Sequence, residues 1–210
     1  MDTKGIIIIG GGGHARVLTE ILLKQGKYII GYTEKNSEHD MGLSDINCIG
    51  NDESIFKYHH DKVFLVNGIG SVNYESLKNR ENVFKKFSAL GYKFPEIISN
   101  HALVSEFVNL RDGVQIMANA TIQSCVLIGE NSIINTGAIV EHDCKIGNNV
   151  HIASGAVLCG GVSVGNCSHI GAGATIIQSI SIGENVLVAA GAVVVKNVSS
   201  NSTVRGVPAK

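Results

Sequence analysis

Every sixth residue from Leu110 to Val194 is Leu, Ile or Val, fifteen positions in a row. A fixed internal period of this kind signals a repeat architecture, in which stacked units bury a continuous core. The residue two before each of these positions is usually small or a compact apolar one, as at Ala120, Ser132, Ala138, Cys144, Ala156, Ser168 and Ala174. A longer period lies on top. Ile128-Gly129-Glu130-Asn131, Ile146-Gly147-Asn148-Asn149, Val164-Gly165-Asn166-Cys167 and Ile182-Gly183-Glu184-Asn185 recur every eighteen residues. Three hexads therefore make one coil, and Gly and Asn suit the tight corners because both tolerate positive φ. Strand side chains alternate, so the sixth-position aliphatic points inward and its neighbours point outward. The expected object is a triangular prism of stacked short strands.

Composition limits what such a chain does. The formal net charge of −1 argues against nucleic acid or an acidic membrane as main partner. No apolar run reaches the ~18 residues of a membrane-spanning helix. The run Ile6 to Ile9 is too short for a signal peptide and leads into glycine, so the chain reads as cytoplasmic. Cys48, Cys125, Cys144, Cys159 and Cys167 form no CxxC pair and are odd in number, which favours free thiols.

The first 95 residues have another character. Gly5 to Ile9 is a continuous apolar run, as in a buried parallel strand. Gly10 to Gly13 and His14 follow, and then Val17, Leu18, Ile21 and Leu22 at helical spacing. A strand, a glycine loop and a helix N-terminus together suit a phosphate. A second strand, Tyr28 to Tyr32, leads to Glu34, placed where an acid often holds a ribose hydroxyl. Val63 to Val66 reads as a third strand ending near Gly70, and Asn73 to Leu90 as a helix. About 95 residues make half a dinucleotide fold, enough for a mononucleotide attached to something small. Pro95 marks the boundary, giving domains over 1–95 and 96–210.

The hexads resemble those of the hexapeptide-repeat acyltransferases. The combination of IIIIGGGGHARV at the start and GVPAK at the end resembles the bacterial nucleotide-sugar acetyltransferases over essentially the whole chain. That resemblance implies a small Rossmann-like α/β domain followed by an all-β left-handed parallel β-helix. It further implies a homotrimer with active sites between subunits, and acetyl-CoA as co-substrate with no metal. The reaction it implies is acetyl transfer to the amino group of a nucleotide-linked 4-amino-4,6-dideoxy sugar for surface glycans. Gly12, Gly13, His14, Glu34, Lys35 and Gly70 would face the nucleotide sugar by position. The family often has two adjacent acids where this chain has Glu34-Lys35.

His142 is two residues past an inward aliphatic, at a corner, and Asp143 follows it. N-acetylation needs a base to take a proton from the attacking amine, and imidazole titrates near neutrality. The resemblance makes His142 that base and Asp143 its acidic helper. It also gives His151 to acetyl-CoA and the backbone near Ala172 and Ala190 to the pantetheine groove. His169, eighteen residues after His151, should stack on it. Two other readings stay open: O-acetylation of a sialic acid or another sugar hydroxyl, and a non-catalytic nucleotide-sugar-binding module. Zinc chemistry of the carbonic anhydrase type on this fold needs a histidine pair four residues apart, which the sequence lacks.

Overall fold

The computed structural model describes residues 4–35, 41–43, 46–71 and 73–210. The chain divides into two compact units, one of residues 1–70 with 79–97, the other of residues 71–78 with 98–210. No helix among the described residues is long and apolar enough to cross a membrane.

The first unit is an α/β half-fold. Strand β1 (Gly5–Ile9) lies between β2 (Ile29–Thr33) and β3 (Val63–Asn67) in a parallel sheet of order β2-β1-β3. All of β1 is buried, which is why it reads as an unbroken apolar run rather than an alternating one. Helix α1 (Gly13–Lys24) packs Ala15, Leu18, Ile21 and Leu22 inward. Helix α2 (Tyr74–Ala89) follows β3 and belongs to this unit from Asn79 onward. A short 3-10 helix, Asp52–Lys57, follows a segment that bridges to β2 at Tyr32 and Cys48. Ile7, Ile9, Leu65, Phe84, Phe87 and Phe94 belong to one core cluster.

The second unit is a parallel β-helix of hexapeptide repeats, of the left-handed type. Two-residue strands from Ile97–Ile98 to Thr203–Val204 stack into three parallel sheets of seven, six and five strands. The eighteen-residue register is strict: Ile133 pairs with His151, His151 with His169, and His169 with Leu187. The sixth-position aliphatics fill the core, with Ile116, Ile128, Ile134, Val140, Ile152, Leu158, Ile170, Ile176 and Val188 at 1% exposure or less. The small residues two before them are buried too. The hydroxyls of Ser132 and Ser168 donate to the carbonyls of Gly147 and Gly183, so the core holds them at little cost.

The Gly-x-Asn corners divide their labour. Positive φ falls on Asn131, Asn149, Cys167 and Asn185, at 54° to 56°, and not on the preceding glycines. Those glycines are needed for close approach instead. A Cβ at Gly147 would sit 2.7 Å from Asn166 Oδ1, and one at Gly165 would sit 2.6 Å from the Gly183 carbonyl carbon.

The three outward rows differ. On the six-strand face Thr121, Ile139, Val157, Thr175 and Val193 are half-buried, three aliphatics and two threonines. On the five-strand face Lys145 and Ser181 are exposed. On the seven-strand face Gln115, Ile133, His151 and His169 are buried, at 1%, 1%, 6% and 8% exposure.

Candidate functional site

Two groups of chemistry-bearing residues are present, one in each unit. In the first, the turn after β1 and the N-terminus of α1 open a cavity of about 450 Å³. Gly12, Gly13, His14, Glu34, Lys35 and Gly70 all line it, so the structure brings together every sequence-nominated residue of this unit. Gly10 adopts φ +92, and Gly68 leaves no room for a Cβ, which would lie 2.8 Å from the side chain of Ala15. Gly12 caps α1 without a side-chain hydrogen bond, and no acidic residue occupies the first turn. The helix end therefore keeps its partial positive charge for an anion.

Glu34 does more than wait for a ribose. Its Oε2 accepts from the Gly11 N–H at 3.1 Å and its Oε1 from the Lys35 N–H at 2.8 Å. The carboxylate thus ties the end of β2 to the glycine loop. On the far side, Arg80 is fully buried and donates from Nη1 to the carbonyls of Asn67 and Ile69, at 2.9 and 2.7 Å. The Asn67 amide returns a bond to the Arg80 carbonyl at 3.0 Å. Burial pushes the guanidinium down to about 9. This pair fixes the turn 68–70, and Gly70 lies against His14.

In the β-helix, His142 Nδ1 lies 2.8 Å from Asp143 Oδ2, with both side chains about two-thirds exposed, at 64% and 66%. Asp143 occupies a left-handed corner at φ +61. That conformation is open to a short polar side chain that bonds locally. Gly160, eighteen residues after His142, lies beneath its ring: a Cβ there would be 2.7 Å from Cε1.

The outward histidines of the seven-strand face are not solvated. His151 Nδ1 reaches the Ser71 carbonyl at 2.5 Å and the Ser71 hydroxyl at 3.2 Å, while Nε2 lies 3.0 Å from Asn135 Nδ2. Asn135 Oδ1 accepts from the Thr136 N–H at 2.7 Å, so its amide nitrogen must donate toward Nε2. The His151 proton then sits on Nδ1 and is donated to Ser71. His169 packs edge-on against His151 with ring centroids 4.9 Å apart, as the period requires. Its Nδ1 is buried with no partner among the described residues, and burial pushes its pKa below the ordinary histidine value.

His151, Ala172 and Ala190 line one groove, together with Asn135 and His169. Ala172 and Ala190 are exposed residues, and their backbone N–H groups donate to no backbone carbonyl among the described residues. His142 and Asp143 lie outside that lining, at the corner of their coil. Sequence reasoning missed Ser71, Asn135, Gly160, Asp52 and Arg80. Asn135, two residues before the corner Gly137 in the same coil as His142, and Gly160, eighteen residues after His142, carried a positional signal. Away from both groups, His59, His60 and Asp61 bring three metal-capable atoms within 4.8 Å of one another on the surface.

The comparisons with known proteins match both halves. The PglD N-terminal domain model covers residues 5–87. The bacterial transferase hexapeptide (six repeats) model covers 107–142, 126–160 and 143–178, and that of the hexapeptide repeat of succinyl-transferase covers 161–196. No curated protein sequence matches at a significant level. Among solved structures, a histidine-to-asparagine variant of perosamine N-acetyltransferase from Caulobacter crescentus, in complex with CoA and GDP-perosamine, is 33% identical. The match covers 98% of this chain and 95% of that one, with a TM-score of 0.91. The acetyltransferase domain of PglB from Neisseria gonorrhoeae, in complex with acetyl coenzyme A, is 30% identical over 99% and 98% of the two chains, with a TM-score of 0.90. WeeI from Acinetobacter baumannii shares the fold at 23% identity, 99% coverage of both chains and a TM-score of 0.86.

Proposed function

The chain belongs to the bacterial nucleotide-sugar N-acetyltransferases that join a PglD-type N-terminal domain to hexapeptide repeats, and from that premise we propose how its own residues carry the reaction. The enzyme transfers the acetyl group of acetyl-CoA to the amino group of a nucleotide-linked sugar. In our reading the acceptor is a 4-amino-4,6-dideoxy sugar destined for surface glycan, and the reaction is cytoplasmic. Residues 1–95 bind the nucleotide sugar and residues 96–210 carry the transfer.

The observation that supports this most is the His142–Asp143 pair. With Asp143 accepting from Nδ1–H, the ring keeps Nε2 as its basic atom. Nε2 takes a proton from the sugar nitrogen as that nitrogen attacks the thioester carbonyl. The C–S bond then breaks, and the thiolate of CoA leaves with the proton that His142 returns. The groove at His151, Ala172 and Ala190 suits the pantetheine arm, which has amide carbonyls for the N–H groups of Ala172 and Ala190. The diphosphate suits Gly12, Gly13 and the end of α1, with His14, Glu34, Lys35 and Gly70 around the rest of the nucleotide sugar.

We infer a homotrimer with active sites between subunits, a reading supported by the outward aliphatics Ile139, Val157 and Val193. An outward-facing apolar stripe of this kind invites burial against a second copy.

The test is a panel of UDP-, dTDP-, GDP- and CMP-linked amino sugars with acetyl-CoA, read by thiol release and by mass spectrometry of the product. The expected product gains one acetyl group on nitrogen. Hydroxyl-linked acetate, or nucleotide-sugar binding without thiol release, would reject this reading.

A further inference from the structure

The cavity at the end of β1 holds a second carboxylate that is not adjacent to the first in sequence. Asp52, at the start of the 3-10 helix, lines the same cavity as Gly12, Glu34 and Gly70. Lys35 follows Glu34, so the two described residues after β2 offer one acid. The two carboxylates are in different states. Both oxygens of Glu34 already accept main-chain N–H groups. Asp52 Oδ1 accepts from the buried Thr33 hydroxyl at 2.6 Å, whereas Oδ2 has no hydrogen-bond partner among the described residues. Asp52 is half-buried, lines the cavity and is held through Oδ1 by Thr33, which leaves Oδ2 as its remaining acceptor.

Order along the cavity suggests what meets it. The helix end at Gly12 and Gly13 suits the phosphates, and the acid at the end of β2 is placed for the ribose. The segment leading to Asp52 runs alongside β2, with Tyr32 bridged to Cys48 and the Glu34 N–H bonded to the Gly50 carbonyl. Asp52 therefore lies one step further from the glycine loop than Glu34, where a nucleobase follows its ribose.

Resting on the nucleotide-sugar reading above, we propose that Asp52 selects the nucleobase, its Oδ2 accepting the ring N–H of a uracil, thymine or guanine. At the central position of the pairing edge these three bases carry a hydrogen, while cytosine and adenine carry a lone pair that a carboxylate repels. An acceptor that the bound base covers with a lone pair is left unpaired, which is a strong source of discrimination between similar ligands.

Calorimetry of free UDP, dTDP, GDP, CDP and ADP on the full chain tests this, with wild type beside Asp52→Asn. Asparagine keeps an oxygen for Thr33 and turns the open acceptor into a donor. One of UDP, dTDP or GDP is expected to bind tightest, and Asp52→Asn should weaken it by about 10-fold or more while CDP and ADP bind no worse. The KM for the nucleotide sugar should rise by a similar factor with kcat within about twofold. A probe that needs no variant is the same nucleotide methylated on that ring nitrogen, which should lose binding to wild type. Equal binding of the methylated probe, an unchanged order in Asp52→Asn, or a penalty that vanishes with the 2′-deoxy nucleotide would each overturn the assignment. Failure of every nucleotide to bind would instead overturn the nucleotide-sugar site itself, and this inference with it.

Discussion

His142 and Asp143 meet at 2.8 Å across a single peptide bond because Asp143 takes the left-handed corner at φ +61. In an extended strand, neighbouring side chains point to opposite faces and would not meet. The corner is thus what turns the carboxylate onto Nδ1 and leaves Nε2 free.

Replacing His142 with alanine should lower kcat by ~10²–10⁴, the usual cost of losing a positioned general base. Asp143→Asn should keep the corner, since asparagine tolerates this φ, yet lose the carboxylate that holds the tautomer. Its kcat should fall with an unchanged KM for acetyl-CoA in a thiol-release assay. Wild-type turnover in His142→Ala would remove His142 from the mechanism.

Gly160→Ala tests the seat of the imidazole. The new Cβ would lie 2.7 Å from His142 Cε1, so the ring must move. A misplacement near 1 Å costs up to ~10²-fold, and we expect kcat to fall by at least ~10-fold with little change in melting temperature. The φ of Gly160 is not in the left-handed region, so the backbone itself accepts alanine.

His169 gives the fold a pH dependence. Burial lowers its folded pKa below the ordinary 6.5. In the window between these values the unfolded chain binds the proton and the folded chain does not, so stability falls as pH drops through and below 6.5. Chemical-denaturation midpoints from pH 7.5 down to the acid limb should fall less steeply in His169→Gln than in wild type. Parallel curves for the two proteins would contradict this.

Thiol reactivity separates the cysteines. Cys125 is exposed, whereas Cys144 is buried in the β-helix core, and burial raises its thiol to about 11. Ellman's reagent at pH 7.5 should label Cys125 rapidly and leave Cys144 unlabelled until the β-helix is unfolded. Peptide mapping of the labelled protein checks this.

The fold was legible because its information is local and periodic. An aliphatic at every sixth position from Leu110 can be buried in only one way, and strict pairing of Ile133, His151, His169 and Leu187 follows from the eighteen-residue coil. The strand, glycine loop and helix of the first unit were legible for a similar reason. Strand ends moved by one residue: β2 runs Ile29–Thr33, one place later than Tyr28 to Tyr32, and β3 reaches Asn67. Hydrogen bonding to the loop at each strand end sets these limits, and composition does not report it.

What the period cannot encode is what covers an outward side chain. His142 and His151 both point away from the core, yet one is exposed and the other is buried under Ser71, eighty residues earlier in the chain. Likewise, Asp52 reaches Thr33 across nineteen residues and a different element. The sequence by itself determined the scaffold and the corner that carries His142 and Asp143. Only the tertiary structure decided that Asn135 and Ser71 hold His151 in one tautomer, and that Asp52 joins Glu34 at the same cavity. The physical reason is that periodicity orients a side chain relative to its own strand, while its hydrogen-bond partners come from whichever distant segment the fold lays beside it.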